Sequence, residues 1–351
     1  MKHLSKVLIR GYKSICNQEI DFHSINILIG TNGAGKSNLI SFFEMLKRIG
    51  KYEFQNYVME QGGANKILYN GRKITNDCYF AIQREPYMFY ARLNPTDMDS
   101  MYLSQQGLYD YIKKSNFYAA DGFLELKDHG LLFDFQILHS IGIYHFQDTG
   151  TNSSMKTFCD MNDNLELASD GRNIAAVLYR IFKTDKNAYE RIVKLVRMAA
   201  PDFWDFILRE NPLNQGRIRL EWQKKGCDIP FGAEQLSDGT LRFICLAVLL
   251  LQPEDMRKDI MFLDEPELGL HPAAVTLITE LIKKYAADAQ IIAATQSVEF
   301  MNEFKTDDII VVENKRGETV FQRLEETDLE DWLEDYSLGE LWKKNIIGGR
   351  P

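Results

Sequence analysis

The chain has 351 residues, enough for one large or two ordinary domains with ample core, and its composition (45% hydrophobic, 26% charged) is that of a globular protein. A formal net charge of −9 excludes nonspecific adhesion to nucleic acid as a property of the whole surface and leaves only a local basic patch for such a role. Five scattered cysteines (Cys16, Cys78, Cys159, Cys227, Cys245) form no C-x-x-C pair, and no stretch reaches the ~20 apolar residues of a membrane span or the core of a secretory leader, so a reducing, cytoplasmic setting without membrane is expected.

In chain order, KVLIRGY and EIDFHSINILI read as two strands with a short link at 13–18. The stretch 25–38, INILIGTNGAGKSN, is a strand, a tight loop and the start of a helix that runs to about Ile49. Its loop, Gly30-Thr31-Asn32-Gly33-Ala34-Gly35-Lys36-Ser37, fits G-x-x-x-x-G-K-[ST] at every fixed position. A backbone can wrap a phosphate with successive N–H groups only where side chains leave room, and the helix behind adds partial positive charge. Gly30, Gly33 and Gly35 give that room, Lys36 would reach the β- and γ-phosphates, and the Ser37 hydroxyl would ligate magnesium, with Asn38 following in the helix.

Beyond the helix the pattern becomes hairpin-like, with CYFAIQRE and YMFYARL around Pro86, and strands are expected at GFLELK, LLFDFQIL and IGIYHFQ. Residues 1–150 thus read as a phosphate-loop half with a β-rich lobe. NIAAVLYRIF (173–182) and AYERIVKLVRM (188–198) have helical spacing and RIRLEW (217–222) returns to strand, which makes 151–232 a mainly helical inserted lobe. From 233 to 351 come QLSDGT ahead of the apolar helix LRFICLAVLLL, the buried strand DIMFL ending in DEPE, the turn LGLHP, a helix at AAVTLITELIKKYA, the strand QIIAAT ending at Gln296-Ser297, and DDIIVVEN. Such alternation implies an α/β fold with a largely parallel sheet and a ligand at the carboxyl ends of its strands.

An apolar strand ending in two carboxylates suits a metal-assisted hydrolysis: Asp264 would hold magnesium and Glu265 would orient and polarise the attacking water. Ser237-Asp238-Gly239 at a helix start is what an ordinary N-cap would also use. Its place between the phosphate loop and the Asp264-Glu265 strand points instead to a site.

The phosphate loop GTNGAGKS, LSDGT before an apolar helix, FLDEPELGLHP and AATQS, in this order, resemble the ABC-type ATPase heads of the RecF, SMC and OLD group. YHFQDTG (144–150), DGRNIAAVLYRI (170–181), QLSDGTLRF (235–243) and SLGELWKKNIIGGRP (337–351) look like stand-alone RecF-like ATPases, so that the resemblance covers nearly the whole chain as a single head. The resemblance implies that Gly30 to Ser37 is the Walker A loop and Asp264 with Glu265 the Walker B pair. It further implies that Ser237, Asp238 and Gly239 are the signature that binds the γ-phosphate of ATP held by an opposite subunit, and that Gly269 to His271 is the D-loop. Gln147 is the candidate glutamine that senses magnesium and the γ-phosphate, with Gln83 and Gln136 as alternatives. Such heads place a histidine after the late strand; here Gln296 stands there and can hydrogen-bond the γ-phosphate without carrying charge.

The implied state is an ATP-dependent homodimer, or higher oligomer, that sandwiches two ATP·Mg2+ head to tail. No sustained heptad pattern appears between 50 and 230, so an SMC-type arm is not expected. The acidic tail residues Asp328, Glu330, Asp331, Glu334 and Asp335 look like a solvated helix face rather than a nuclease centre. The expected function is therefore an ATPase switch for a separately encoded effector such as a nuclease, in defence against phage or foreign DNA. A RecF-like repair ATPase gripping duplex DNA is the alternative, and a transporter subunit a third reading. The apolar tail around Trp342, Ile346 and Ile347 would either pack on the head or be offered to a partner.

Overall fold

Two antiparallel strands open the chain, β1 (Lys6–Tyr12) and β2 (Ile15–Asp21), joined at Lys13 and Ser14, where Lys13 takes φ 46°. The sequence predicts one strand from Glu19 to Ile29. The structure instead ends β2 at Asp21 and starts β3 at Ile25 (Ile25–Ile29). The cause is local: the His23 N–H donates to Asn26 Oδ1 (2.9 Å) and Asn26 Nδ2 donates back to His23 O (2.7 Å), so a side chain closes a turn that a strand would leave open. The two halves of one apolar run thereby enter different sheets.

The computed structural model describes residues 3–119, 138 and 140–349. Beyond β3 come β4 (Cys78–Arg84), β5 (Tyr87–Pro95), β6 (Met101–Asp110) and β7 (Ser115–Ala119), which complete an antiparallel sheet in the order β2-β1-β4-β5-β6-β7. The CYFAIQRE–YMFYARL hairpin closes as expected, with Arg84 opposite Tyr87. The expected strands GFLELK and LLFDFQIL, and Gln136 with them, lie outside the described residues except for Leu138; IGIYHFQ gives β8 (Ile141–Tyr144). Five short strands follow: β9 (Cys159–Asp160), β10 (Phe203–Ile207), β11 (Arg217–Ile218), β12 (Glu221–Lys224) and β13 (Pro230–Gly232). RIRLEW is thus divided, β11 pairing with β9 while β12 pairs with β10 and β13.

The remaining strands, β14 (Ile260–Asp264), β15 (Gln290–Thr295), β16 (Ile309–Lys315) and β17 (Glu318–Arg323), form a second six-stranded sheet in the order β17-β16-β3-β15-β14-β8. β15 and β16 run parallel to β3, as the alternation predicts, while β17 adds an antiparallel edge through a hairpin that the sequence reading did not include.

The chain divides into two units, Met1–Ile141, Asp259–Phe262 and Asp288–Pro351 in the first, Gly142–Lys258 and Leu263–Ala287 in the second. In the first, the helix Lys36–Gly50 buries Leu39, Phe42, Phe43, Met45 and Leu46. Phe42 meets Tyr12 and Phe80 of one sheet, and Phe43 meets Phe262 of the other at 4.4 Å between ring centroids. Each fully buried aromatic of this kind contributes about 1.5–3 kcal/mol. The helix is therefore fixed from both sides. Leu338–Lys343 packs there too: Leu341 is buried, the Gly339 N–H donates to Asn302 Oδ1 (2.7 Å), and farther along the Gly349 N–H donates to Glu313 Oε1 (2.7 Å). The tail is thus anchored to the first unit at Gly339, Leu341 and Gly349, with Trp342 and Ile347 half-buried and Ile346 exposed.

In the second unit the helix Asp238–Leu251 is buried at every residue from Phe243 to Leu251, the signature of a helix surrounded by protein. Helices Lys186–Ala199 and Pro272–Tyr285 pack against it. Among the described residues no helix is long and apolar enough to cross a membrane.

Candidate nucleotide site

The phosphate loop leaves the buried end of β3 and enters its helix at Gly35, whose φ of 114° a side chain would resist. Its shape is imposed from behind by the β16–β17 hairpin. A Cβ on Gly30 would lie 2.3 Å from Val312 O, and one on Gly35 would lie 2.0 Å from Thr319 Oγ1. On the other side the loop is open: nothing lies within 4 Å of a Cβ on Gly33, and Asn32, Gly33 and Ser37 are exposed. Lys36, only 7% exposed, donates from Nζ to Gly30 O and to Thr31 O (3.1 Å), which keeps its charge inside the loop. Closed behind and open in front, this cradle fits a chain of phosphates.

A donor chain that sequence reading missed fixes it. Asn38 Nδ2 donates to Ser14 Oγ (2.5 Å), Ser14 Oγ meets Thr319 Oγ1 (2.6 Å), and Thr319 Oγ1 donates to Ala34 O (3.0 Å). Thr319 is fully buried. Asn38, expected at the nucleotide, is occupied here in holding the β1–β2 turn. Beside it Lys13 is partly buried, which lowers its pKa, and its Nζ donates to Ser41 Oγ and Gln61 Oε1, each at 2.9 Å.

Gln296 is carried to the loop by strand register. Thr295 is the parallel partner of Ile29, so the residues that follow each emerge at the same edge, and Gln296 Nε2 donates to Asn32 Oδ1 at 2.7 Å.

In the second unit Asp264 ends β14 and Glu265 follows with φ 47°, in the left-handed region. A non-glycine residue held there costs of order 1–3 kcal/mol and marks a position that the surroundings enforce. Gln147 is exposed and its Nε2 donates to Asp264 Oδ2 at 3.3 Å, which supports it over Gln83, a β4 residue opposite Lys6 and Met88. Ser237 caps its helix, its Oγ accepting the Thr240 N–H at 3.1 Å; Ser237 and Asp238 remain exposed. Capping and presentation to a ligand are compatible, because the cap uses one lone pair of the hydroxyl. A Cβ on Gly239 would lie 2.3 Å from Gly269 O, so the LSDGT and LGLHP stretches are in direct contact.

The hard oxygens of Ser37, on the first unit, and of Asp264, on the second, are each of the kind magnesium takes; among the described residues no group of three or more His, Cys, Asp or Glu forms a metal cluster.

The family model described as "AAA domain, putative AbiEii toxin, Type IV TA system" matches residues 94–302, more than half of the chain. The chain belongs to this family. No curated protein matches it. Solved structures similar to this member of the AbiEii-type AAA family include Smc heads. One, bound to the C-winged helix domain of ScpA, has a TM-score of 0.64 at 16% identity over 95% of this chain and 99% of that one. An Smc head with an extended coiled coil, bound to the C-terminal domain of ScpA derived from Pyrococcus furiosus, has a TM-score of 0.58 at 16% identity, with the same 95% and 99% coverage. Another, with a coiled coil and joint, derived from Pyrococcus yayanosii, has 0.58 at 11% identity, again covering 95% and 99%. The fold of this AAA-family chain is that of an ABC-type, SMC-like ATPase head.

Proposed function

We propose that this chain binds ATP with magnesium, hydrolyses it, and uses the two nucleotide states to make and break a head-to-tail dimer that controls a separately encoded effector, in defence against foreign DNA. Loop N–H groups and Lys36 bind the β- and γ-phosphates. Ser37 and Asp264 would hold the metal, Gln147 reports its presence through Asp264, and magnesium when bound supplies charge neutralisation at the phosphate oxygens. Glu265 orients the attacking water and accepts its proton. Gln296 offers a neutral hydrogen bond where a histidine would offer charge, so turnover is slow.

The observation that carries the dimer is the signature. Ser237 and Asp238 are exposed at the start of a helix buried from Phe243 onward, a presentation suited to a ligand held by another molecule. The family's description as a putative toxin of a type IV TA system, and the binding of ScpA by two of the similar Smc heads, support work alongside a second protein.

Glu265→Gln tests the reading. It should retain ATP and sediment as a dimer in ATP and as a monomer in ADP. A purely monomeric variant at saturating ATP contradicts the sandwich. Captured from its host in ATP, the same variant should bring down a stoichiometric protein partner. Recovery of DNA alone would favour a repair-type clamp.

A further inference from the structure

One side chain ties the segment carrying Gln147, the helix carrying Ser237–Gly239 and the turn beyond Glu265. Arg242, in the second turn of the helix Asp238–Leu251, donates from Nε to Phe146 O (3.2 Å), from Nη2 to Gln147 O (2.9 Å) and Thr149 Oγ1 (3.1 Å), and from Nη1 to Leu268 O (3.1 Å). The planar guanidinium, with its donors held in a fixed fork, serves acceptors on both segments at once from a third. The turn is shaped around it: Gly269 has φ 72°, and a Cβ there would lie 2.5 Å from Arg242 Nη1. Lys156 repeats the link, its Nζ donating to Thr149 O (2.6 Å) and lying 3.6 Å from Asp238 Oδ1. Arg242, Gln147, Asp264 and Glu265 also line a common cavity of ≈ 10 Å³, room for about one water molecule.

We propose that Arg242 is a positioning residue that couples Gln147 to the signature Ser237–Gly239 and to the Leu268–Gly269 turn. A displacement of Gln147 at Asp264 moves the Phe146 and Gln147 carbonyls. Arg242 passes this to the exposed first turn of its helix, the surface offered to a second copy of this chain. The inference rests on the nucleotide reading above. It goes beyond it in naming the residue through which metal sensing in one chain reaches the surface that completes the other chain's site.

The test compares Arg242→Met and Arg242→Lys with wild type in steady-state ATP hydrolysis and in ATP-dependent dimerisation. KM for ATP should stay within about twofold, because the phosphate loop is untouched, while kcat should fall about tenfold or more as the site is completed in the wrong geometry. Lysine should not rescue, since a point charge cannot replace the fork. Gln147→Ala should add little to Arg242→Met, as expected for residues acting in one chain of contacts. Wild-type kcat in Arg242→Met, or losses that simply add with those of Gln147→Ala, would overturn the coupling. If Arg242→Met does not fold, Thr149→Val removes one acceptor only; it should lower kcat in the same direction, and an unchanged kcat overturns the proposal. Absence of turnover in the wild-type chain overturns the nucleotide reading and the coupling together, whereas wild-type turnover with unaltered Arg242 variants overturns the coupling alone.

Discussion

At the scale of single residues, the phosphate loop was legible because its chemistry is local. Eight consecutive residues meet the demands of a phosphate-wrapping backbone, and the structure lays them out between β3 and its helix as those demands require. Thr319 was not legible: it fixes Ala34 from 285 residues away, and a threonine within ETVFQR carries no mark of that role. Two predictions separate chemistry from support. Lys36→Ala removes the charge proposed to reach the phosphates and should abolish ATP binding or turnover, read by nucleotide titration beside a thermal melt; unchanged turnover would sink the loop assignment. Thr319→Val keeps the shape but leaves the Ala34 carbonyl and Ser14 hydroxyl without their buried partner, at about 1–3 kcal/mol. It should lower both the melting temperature and ATP affinity, whereas Thr319→Ser should restore most of each. A valine variant with wild-type ATP affinity would show that the loop holds its shape without the donor chain.

At the scale of elements, alternation of apolar strands and amphipathic helices was enough to foresee the parallel arrangement of β3, β15 and β16; Gln296 was marked only by the resemblance to ABC-type heads, and the register places it against Asn32. What periodicity could not show was where a continuous apolar run changes sheet. EIDFHSINILI breaks at a local turn that the Asn26 side chain closes onto His23, which apolar periodicity does not register, and RIRLEW divides between two small sheets because its first half pairs with residues near 160, far back in the chain. The helix Asp238–Leu251 lies at the other extreme: the unbroken apolar run Phe243–Leu251 announces burial, while Ser237 and Asp238 at its start are exposed. Phe243→Ala should therefore cost about 3–5 kcal/mol through lost burial and a residual cavity. Urea titration would show it as a lower midpoint at unchanged slope. A shift below about 1 kcal/mol would mean that the helix is not the core of its unit.

At the scale of the whole molecule, the candidate residues separate into the phosphate loop with Gln296, on the first unit, and Gln147, Asp264, Glu265 and Ser237–Gly239, on the second, where Ser237 and Asp238 are exposed. If that signature acts on a second copy, damage to the loop and damage to the signature must complement between chains. Lys36→Ala leaves a chain with a sound signature and no loop. Ser237→Arg leaves a sound loop behind a signature too bulky to approach a phosphate, for about 1 kcal/mol of lost cap. Each variant alone should be inactive. Mixed in equal amounts, heterodimers pair the sound loop of one with the sound signature of the other, giving one working site in two, so random pairing restores about one quarter of wild-type turnover. Full activity in either variant alone would place catalysis within a single chain. A mixture that stays inactive, while native gels show heterodimers in ATP, would mean that the two chains do not meet signature to loop. Recovery near one quarter, lost again when Glu265→Gln is added to the Ser237→Arg chain, would locate the working site at the sound loop and assign its water-activating carboxylate to the chain that holds the nucleotide.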